Sequence, residues 1–316
     1  MYTERENHIK NKGDLKMKNT NFGIEIEFTG ITREQAAKVA AETLNGTYEY
    51  TGTYYDTYTV TDQQGRKWKF MSDGSIRTQS KLAGSRIASG RAYSVEMVSP
   101  ILTYENDIEI LQETIRALRK RGGFTNSSTG IHIHIDGQNH TARTIRNFVN
   151  IIASKNDLFY KALAIEEDRM RFCQKMDQHL VNEMNKKKPQ TLEEIENIWY
   201  EGYWGDRDTH YHSSRYHFLN LHSFFHGHHT VELRGFNSTL HAGKVRSYIA
   251  LSLALNDLAL NSKKTSSKKP QVENEKFAMR TFLNRIGLIG DEFKNCREHL
   301  TKNLEGSSAW RFGQAA

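Results

Sequence analysis

The residues best suited to chemistry lie in Gly130-Ile131-His132-Ile133-His134-Ile135-Asp136, where apolar and ionisable side chains alternate with a period of two. That is a strand pattern, and it puts His132, His134 and Asp136 on one face while the three isoleucines pack the other. Two histidines about 7 Å apart on one pleated face can hold a metal ion or phosphate. Two further stretches have the same form. Phe22-Gly23-Ile24-Glu25-Ile26-Glu27-Phe28 sets Glu25 and Glu27 opposite Ile24, Ile26 and Phe28, and Thr230-Val231-Glu232-Leu233-Arg234-Gly235-Phe236 does the same with a carboxylate and a guanidinium. Any one alone reads as an amphipathic edge strand turning its charges to water. Three of them, far apart in the chain, point to one sheet whose polar face is an active site.

Carboxylates and imidazoles converging on a sheet face suit hard divalent cations such as Mg²⁺ or Mn²⁺. With no Walker loop or kinase signature in the chain, such ions would bridge the phosphates of a nucleotide, and an arginine beside them would neutralise charge on a transferring phosphoryl group. This is phosphoryl transfer without a P-loop.

The pattern around these stretches indicates what must position them. Thr32-Arg33-Glu34-Gln35 is a capping box that opens an amphipathic helix ending at Asn45-Gly46. Asp62-Gln63-Gln64-Gly65 is a turn between strands at Tyr58-Thr59-Val60 and Lys67-Trp68-Lys69-Phe70. Asp73-Gly74-Ser75 follows as a turn, residues 76–91 lack a period and read as a loop near the site, and residues 93–99 form a strand stopped by Pro100. A helix carrying Ile108, Leu111, Ile115 and Leu118 on one face ends at Gly122-Gly123. Residues 141–201 are helical by pattern, with Lys186-Lys187-Lys188-Pro189 between two of the helices. Residues 216–225 and 229–236 read as a hairpin joined by His226-Gly227-His228, and a core helix covers residues 242–260. The expected organisation is a mobile arm over 1–20, a catalytic domain over 21–260, a linker over 261–270 and a small helical appendage over 271–316.

The chain has 316 residues, of which 37% are hydrophobic and 26% charged, a composition that supports a sizeable core. No run approaches the roughly 18 apolar residues of a membrane span, and the polar start is unlike a signal segment, so a cytoplasmic protein with no membrane partner is expected. Cys173 and Cys296 sit in no Cys-x-x-Cys pair and read as inert thiols, excluding a zinc ribbon or redox motif. The net charge of +7 and pI near 9.2 permit an acidic partner without identifying one. His222, His226, His228 and His229 read as loop or sheet-edge histidines, with a zinc cluster as the alternative.

Glu25-Ile26-Glu27-Phe28, Gly130-Ile131-His132-Ile133-His134 and Glu232-Leu233-Arg234 resemble, in the same order, the Glu-x-Glu-Phe, Gly-x-His-x-His and Glu-x-Arg strands of glutamine synthetases. The fuller match, over residues 21–260, resembles the amidoligase family of the carboxylate-amine ligase superfamily, which also contains glutamate-cysteine ligases. Residues 22–30, 93–100, 130–136, 212–221 and 232–240 carry it.

The resemblance implies an α+β fold in which a curved, mainly antiparallel sheet cradles ATP and metal ions, with helices on its outer face. It implies that Glu27 and Glu96 hold the metal nearer the attacking substrate, while Glu25, His132 and Glu232 hold the metal on the ATP phosphates. His134 would lie near ATP, Arg234 would stabilise the transferring phosphoryl group, and Arg215 would contact a phosphate or a substrate carboxylate. Asp73 and Asn237 are candidate substrate contacts. The ammonium-binding and adenine-binding segments of glutamine synthetases have no counterpart in this chain.

The expected activity is therefore ATP- and Mg²⁺-dependent ligation of a carboxylate to an amine through an acyl phosphate. A peptide or protein is favoured as the carboxylate substrate, and residues 76–91 and 201–214 are candidate covering loops. Two other classes fit parts of the sequence. Carboxylates and histidines also build metal-dependent hydrolases of phosphodiesters or peptides. The high pI and Tyr-rich residues 48–58 would suit a basic nucleic-acid-binding protein, which leaves the aligned carboxylates unexplained.

Overall fold

The computed structural model describes residues 16–310. Residues 1–15 of the expected arm thus lie outside the described residues. Residues 16–20 are packed: Met17 is buried in the core, and the Lys18 ammonium is 2.7 Å from a Glu292 carboxylate oxygen.

The chain runs through β1 (Asn21–Phe28), α1 (Arg33–Thr43), β2 (Thr47–Tyr50), β3 (Tyr58–Thr61) and β4 (Lys67–Met71). The Thr32–Gln35 capping box closes on the N-terminus of α1. Asp62 closes the β3–β4 turn, its carboxylate accepting from the backbone N–H groups of Gln64 and Arg66 and from the Trp68 indole. Next come β5 (Gln79–Leu82), β6 (Ser85–Ala88), β7 (Val95–Val98), β8 (Leu102–Thr103), α2 (Tyr104–Arg121) and β9 (Gly130–Asp136). Then follow α3 (Ala142–Leu163), α4 (Gln178–Lys187), α5 (Leu192–Trp199), β10 (Leu219–Asn220), the single-turn α6 (His222–Phe225), β11 (Thr230–Asn237), α7 (Ala242–Asn261), α8 (Glu275–Arg285) and α9 (Lys294–Thr301).

In space the main sheet has the order β10-β11-β9-β1-β7-β4-β3-β2, with β8 paired to the start of β1 and every pairing antiparallel. The sheet is open, and the architecture is α+β. The three chemical strands, distant in sequence, are consecutive neighbours in it. Their apolar faces explain why: Ile24, Ile26, Ile131, Ile133, Ile135, Val231 and Leu233 are all buried against the helical layer, where α7 packs on β9 and α3 on β11. Burying each such side chain contributes about 1.5–3 kcal/mol. A one-residue slip would exchange the isoleucines for histidines and carboxylates, so the same burial fixes the register of the polar face.

β11 breaks simple alternation. One extra residue is accommodated between Leu233 and Phe236, and both of these side chains are buried, with Phe236 stacked on Tyr248 of α7 at 4.7 Å. Gly235 permits the bulge, since a Cβ there would overlap the Phe218 ring. The Arg234 N–H is left to bond the Phe218 carbonyl at 2.8 Å.

Several local expectations are corrected. Residues 76–91 contain the β5–β6 hairpin, turned by Ala83 and Gly84 at φ 49° and 84°. Its side chains are mostly exposed on both faces, so no apolar alternation betrays it. The helical reading of 141–201 is interrupted: α3 ends at Ala164, whose φ is 46°, and an irregular stretch containing a short 3-10 turn, Glu167–Arg169, follows. Of residues 216–225 only Leu219–Asn220 pairs as strand; Leu221 then turns the chain into α6, and Ser223 Oγ bonds the Thr230 carbonyl at 2.7 Å.

The stretch after α7 is extended and laid along α3, where Asn147 Nδ2 bonds the Ser262 carbonyl at 2.7 Å and Thr265 Oγ1 bonds the Asn147 carbonyl at 3.1 Å. Met279, Leu283, Phe293, Cys296 and Leu300 beyond it belong to the same core as the sheet. No helix among the described residues is long and apolar enough to cross a membrane.

Candidate active site

The register places the ionisable residues in cross-strand pairs: Glu25 opposite His132, Glu27 opposite Glu96, and Glu232 opposite His134. His132 Nδ1 is 2.8 Å from Glu25 Oε2 and 3.8 Å from Glu232 Oε1, and its Nε2 is 3.9 Å from Glu27 Oε1. His134 Nε2 lies 3.3 Å from Glu25 Oε1 without a hydrogen bond, and 3.9 Å from Glu232 Oε1. Glu25, His132 and Glu232 bring ligand atoms within 4.8 Å of one another, as do Glu27, Glu96 and His132.

Around these groups the chain supplies fixed partners. Glu232, 1% exposed, is held at both oxygens, by Arg234 Nη1 at 2.5 Å and by Asn220 Nδ2 at 2.6 Å. Glu27 Oε2 accepts from the Gly130 N–H at 2.6 Å. A cavity of about 350 Å³ opens over the face, with Glu25, Glu27, Asp73 and Glu96 along its acidic part and Arg169, Arg215 and Arg234 along its basic part.

Burial and neighbouring charge split the carboxylates into two kinds. Burial, then the charge of Asp73, pushes Glu27 up to about 7. Burial together with Glu25 and Glu27 holds Glu96 well above the usual carboxylate range. For Glu232 burial works upward, but Arg234, His134 and His132 overcome it and bring the group down to about 2. Glu25 is also lowered, His134 and His132 outweighing its burial. Burial, then Arg234, depresses His132 to about 4, whereas Glu232 and Glu25 outweigh burial at His134 and raise it.

This donor set fits a hard divalent cation. After burial, Glu25 and Glu27 raise Glu96 and Asp73 raises Glu27, and a bound cation would relieve this repulsion among the acidic groups. All the donors are carboxylate oxygen or imidazole nitrogen, the set that Mg²⁺ and Mn²⁺ accept.

The other expected residues divide. Arg215 lines the cavity with a buried Nε that has no partner among the described residues. Asp73 also lines it, while its Oδ1 accepts from the Ser75 N–H at 2.6 Å to make the turn. Asn237 has its amide engaged by the 164–166 loop, donating to the Ala164 carbonyl at 2.7 Å and accepting from the Glu166 N–H at 3.0 Å. It is absent from the cavity wall. His222, His226, His228 and His229 supply no group of three converging ligand atoms among the described residues. His226 instead lies between Asp208 and Glu196, at 2.7 and 2.9 Å. Cys173 and Cys296 are buried thiols, both raised in pKa first by burial.

The sequence reading missed Arg169. It is buried, its Nη2 donates to the Arg234 carbonyl at 3.0 Å, and its Nε has no partner among the described residues. Its guanidinium crosses the backbone at Gly130, where any Cβ would overlap it. A glycine opening a strand, which marks close approach by another group, was the available signal. Phe172, Tyr211 and Tyr216 of the cavity wall carried no signal of their own.

Fold and face together define a class: an open antiparallel sheet that presents a buried carboxylate, imidazole and guanidinium site, backed by helices. Within that class, the sequence profile of the family described as "putative amidoligase enzyme" matches residues 18–256, and the chain belongs to that family. The family's description names a ligase that forms amide bonds. No curated protein matches the chain.

Proposed function

We propose that the protein is an ATP- and Mg²⁺-dependent carboxylate-amine ligase. The observation that supports this reading is that two carboxylate–imidazole groups and Arg234 share one buried sheet face in a chain of an amide-forming family. A carboxylate is a poor electrophile. Transfer of the γ-phosphoryl group of ATP to one of its oxygens gives an acyl phosphate and ADP. An amine then attacks the acyl carbon, phosphate leaves, and the amine proton passes to solvent or a site base.

Glu25, His132 and Glu232 would hold a cation on the nucleotide phosphates, and Glu27 and Glu96 one nearer the acceptor; Mn²⁺ suits the same donors. Bound there, the cations would neutralise phosphate charge and polarise the transferring group. The chain's own residues do the rest. Glu232 and the β11 bulge fix the Arg234 guanidinium, which donates to the phosphoryl oxygens as charge moves onto them. His134, raised in pKa, faces the nucleotide side. Arg169 and Arg215 anchor anionic groups of the acceptor, and Phe172, Tyr211 and Tyr216 limit water at the acyl phosphate.

The acceptor we favour is a peptide or protein with a free carboxylate, acting in the cytoplasm where ATP is available. The test is ADP release with Mg²⁺ over a panel of amino acids, acidic peptides and amines. ADP and phosphate should form in step with an amide, and only when both acceptor and amine are present. ADP production insensitive to every acceptor, or metal-dependent turnover with ATP omitted, would overturn the reading.

A further inference from the structure

On the helical side of the sheet, away from the carboxylate face, a second cavity of about 670 Å³ lies between the C-terminal half of α2, the first turn of α7 and α9. Its wall includes Arg116, Arg119 and Lys120 from α2, His241 and Gly243 where α7 begins, and His299 from α9. None of the three α2 cations has a carboxylate within ion-pair distance among the described residues, although two glutamates line the same cavity. Those two pair with other cations, Glu109 with Arg246 of the same wall at 3.1 Å, and Glu292 with Lys18 at 2.7 Å and Arg246 at 3.7 Å, which leaves Arg116, Arg119 and Lys120 without a carboxylate partner among the described residues.

A lysine or arginine in the last turn of a helix is ordinary, since it complements the helix dipole. What is not ordinary is that Arg246 of α7 and two imidazoles, His241 where α7 begins and His299 of α9, face the same space. His241 and His299 stand with ring centroids 5.0 Å apart, and burial, then His241 and Lys244, depresses the His299 imidazole. Gly243 keeps the floor open: a Cβ there would come within 3.0 Å of His299 Nε2 and 3.1 Å of the His241 ring. An acidic ligand would relieve repulsion among the α2 cations, which are of like sign.

We propose that this cavity is a second ligand site, distinct from the carboxylate face, that takes a small phosphorylated anion with at least two phosphate groups. A cavity this large exceeds what one phosphate fills, and Arg116 and Arg119 can each offer two parallel donors to a different phosphate. The positive end of α7 adds to the same field. The proposal does not depend on the ligase reading.

Pyrophosphate, titrated calorimetrically into the full chain with EDTA present, is the probe. Binding should occur and weaken as ionic strength rises. The double variant R116Q/R119Q changes only exposed side chains and should fold as the parent does. It should bind at least about tenfold more weakly, the equivalent of about 1.4 kcal/mol. R234Q, taken where circular dichroism shows it folded, should bind pyrophosphate like the parent, because its change lies on the opposite face. Inorganic phosphate should bind more weakly than pyrophosphate. Absence of binding, equal binding by the double variant, loss of binding in R234Q, or binding of duplex oligonucleotide but not pyrophosphate would each overturn the proposal.

Discussion

Glu27 and Glu96 face each other directly across β1 and β7, both buried, and neither forms an ion pair with a lysine or arginine among the described residues. Like charges directly opposite on a sheet destabilise it. Glu96→Gln should therefore stabilise the metal-free protein at pH 8, by about 1 kcal/mol or about 1–3 °C in Tm for a chain of this size. The same variant should lose metal-dependent ADP release. Thermal denaturation in EDTA checks the first half, and a lowered Tm would make Glu96 a structural residue.

Glu27, raised by burial and by Asp73, gives a pH dependence. The Glu27 carboxyl titrates near 7 in the fold against an ordinary value of 4.5. The folded state thus holds this proton more tightly than the unfolded chain does. Its contribution is fully present below about 4.5 and is lost as pH rises through about 7, up to about 3 kcal/mol in all. His132, depressed to about 4, works in the opposite sense, because stability is lost there as pH falls below about 6.5. The clean readout is a difference: in EDTA, Glu27→Gln should gain stability over the parent steadily from pH 5 to pH 8. Millimolar Mn²⁺ should erase that gain by stabilising the parent alone. A gap that does not change with pH would remove Glu27 from the metal-facing role.

Much of this face was legible because period two is a strong signal when one face is wholly apolar. Ile131, Ile133 and Ile135 announce β9, and the histidines between them follow. The partners that complete the site were harder to read. Arg169 comes from an irregular stretch after α3, where no periodicity assigns a direction to a side chain. Asn220, which holds Glu232, sits in a two-residue strand too short to show a pattern. Phe236 would lie on the polar face under strict alternation, and only the bulge, with Gly235 as its mark, sends it into the core. Asn237 looked available because it directly follows the Glu-x-Arg strand, yet a loop distant in sequence uses its amide. The β5–β6 hairpin stayed hidden for a different reason: it buries little on either face.

Glu232 and Arg234 differ from the Glu27–Glu96 pair because they neutralise each other in the interior. Glu232→Ala should leave a buried guanidinium unpaired and cost about 3–5 kcal/mol, whereas Glu232→Ala combined with Arg234→Met should cost less than the single change. Urea denaturation of the three proteins measures this, and a double variant less stable than Glu232→Ala would refute the pairing argument. Arg234→Lys keeps a charge yet gives up the planar fork, so ADP release should fall at least about tenfold with little change in Tm. Near-parental turnover would remove Arg234 from phosphoryl transfer.

Arg169 reaches the cavity only because Gly130 has no side chain. Gly130→Ala places a methyl group where the guanidinium passes, and the strand backbone cannot retreat, because β9 is paired on both sides, to β1 and β11. The arginine must move instead. Overpacking of this kind costs about 1–3 kcal/mol, which a chain with this core should survive. Displacing a group that anchors the acceptor should lower kcat/KM by at least about tenfold, chiefly through a higher KM for the acceptor, with the KM for ATP near parental. Arg169→Lys, which keeps the charge without crossing Gly130 as a plane, should show the same split in milder form. If both variants fold and both retain parental acceptor KM, Arg169 supports only the backbone of β11 through the Arg234 carbonyl. If ATP KM rises instead, the basic half of the cavity faces the nucleotide rather than the acceptor.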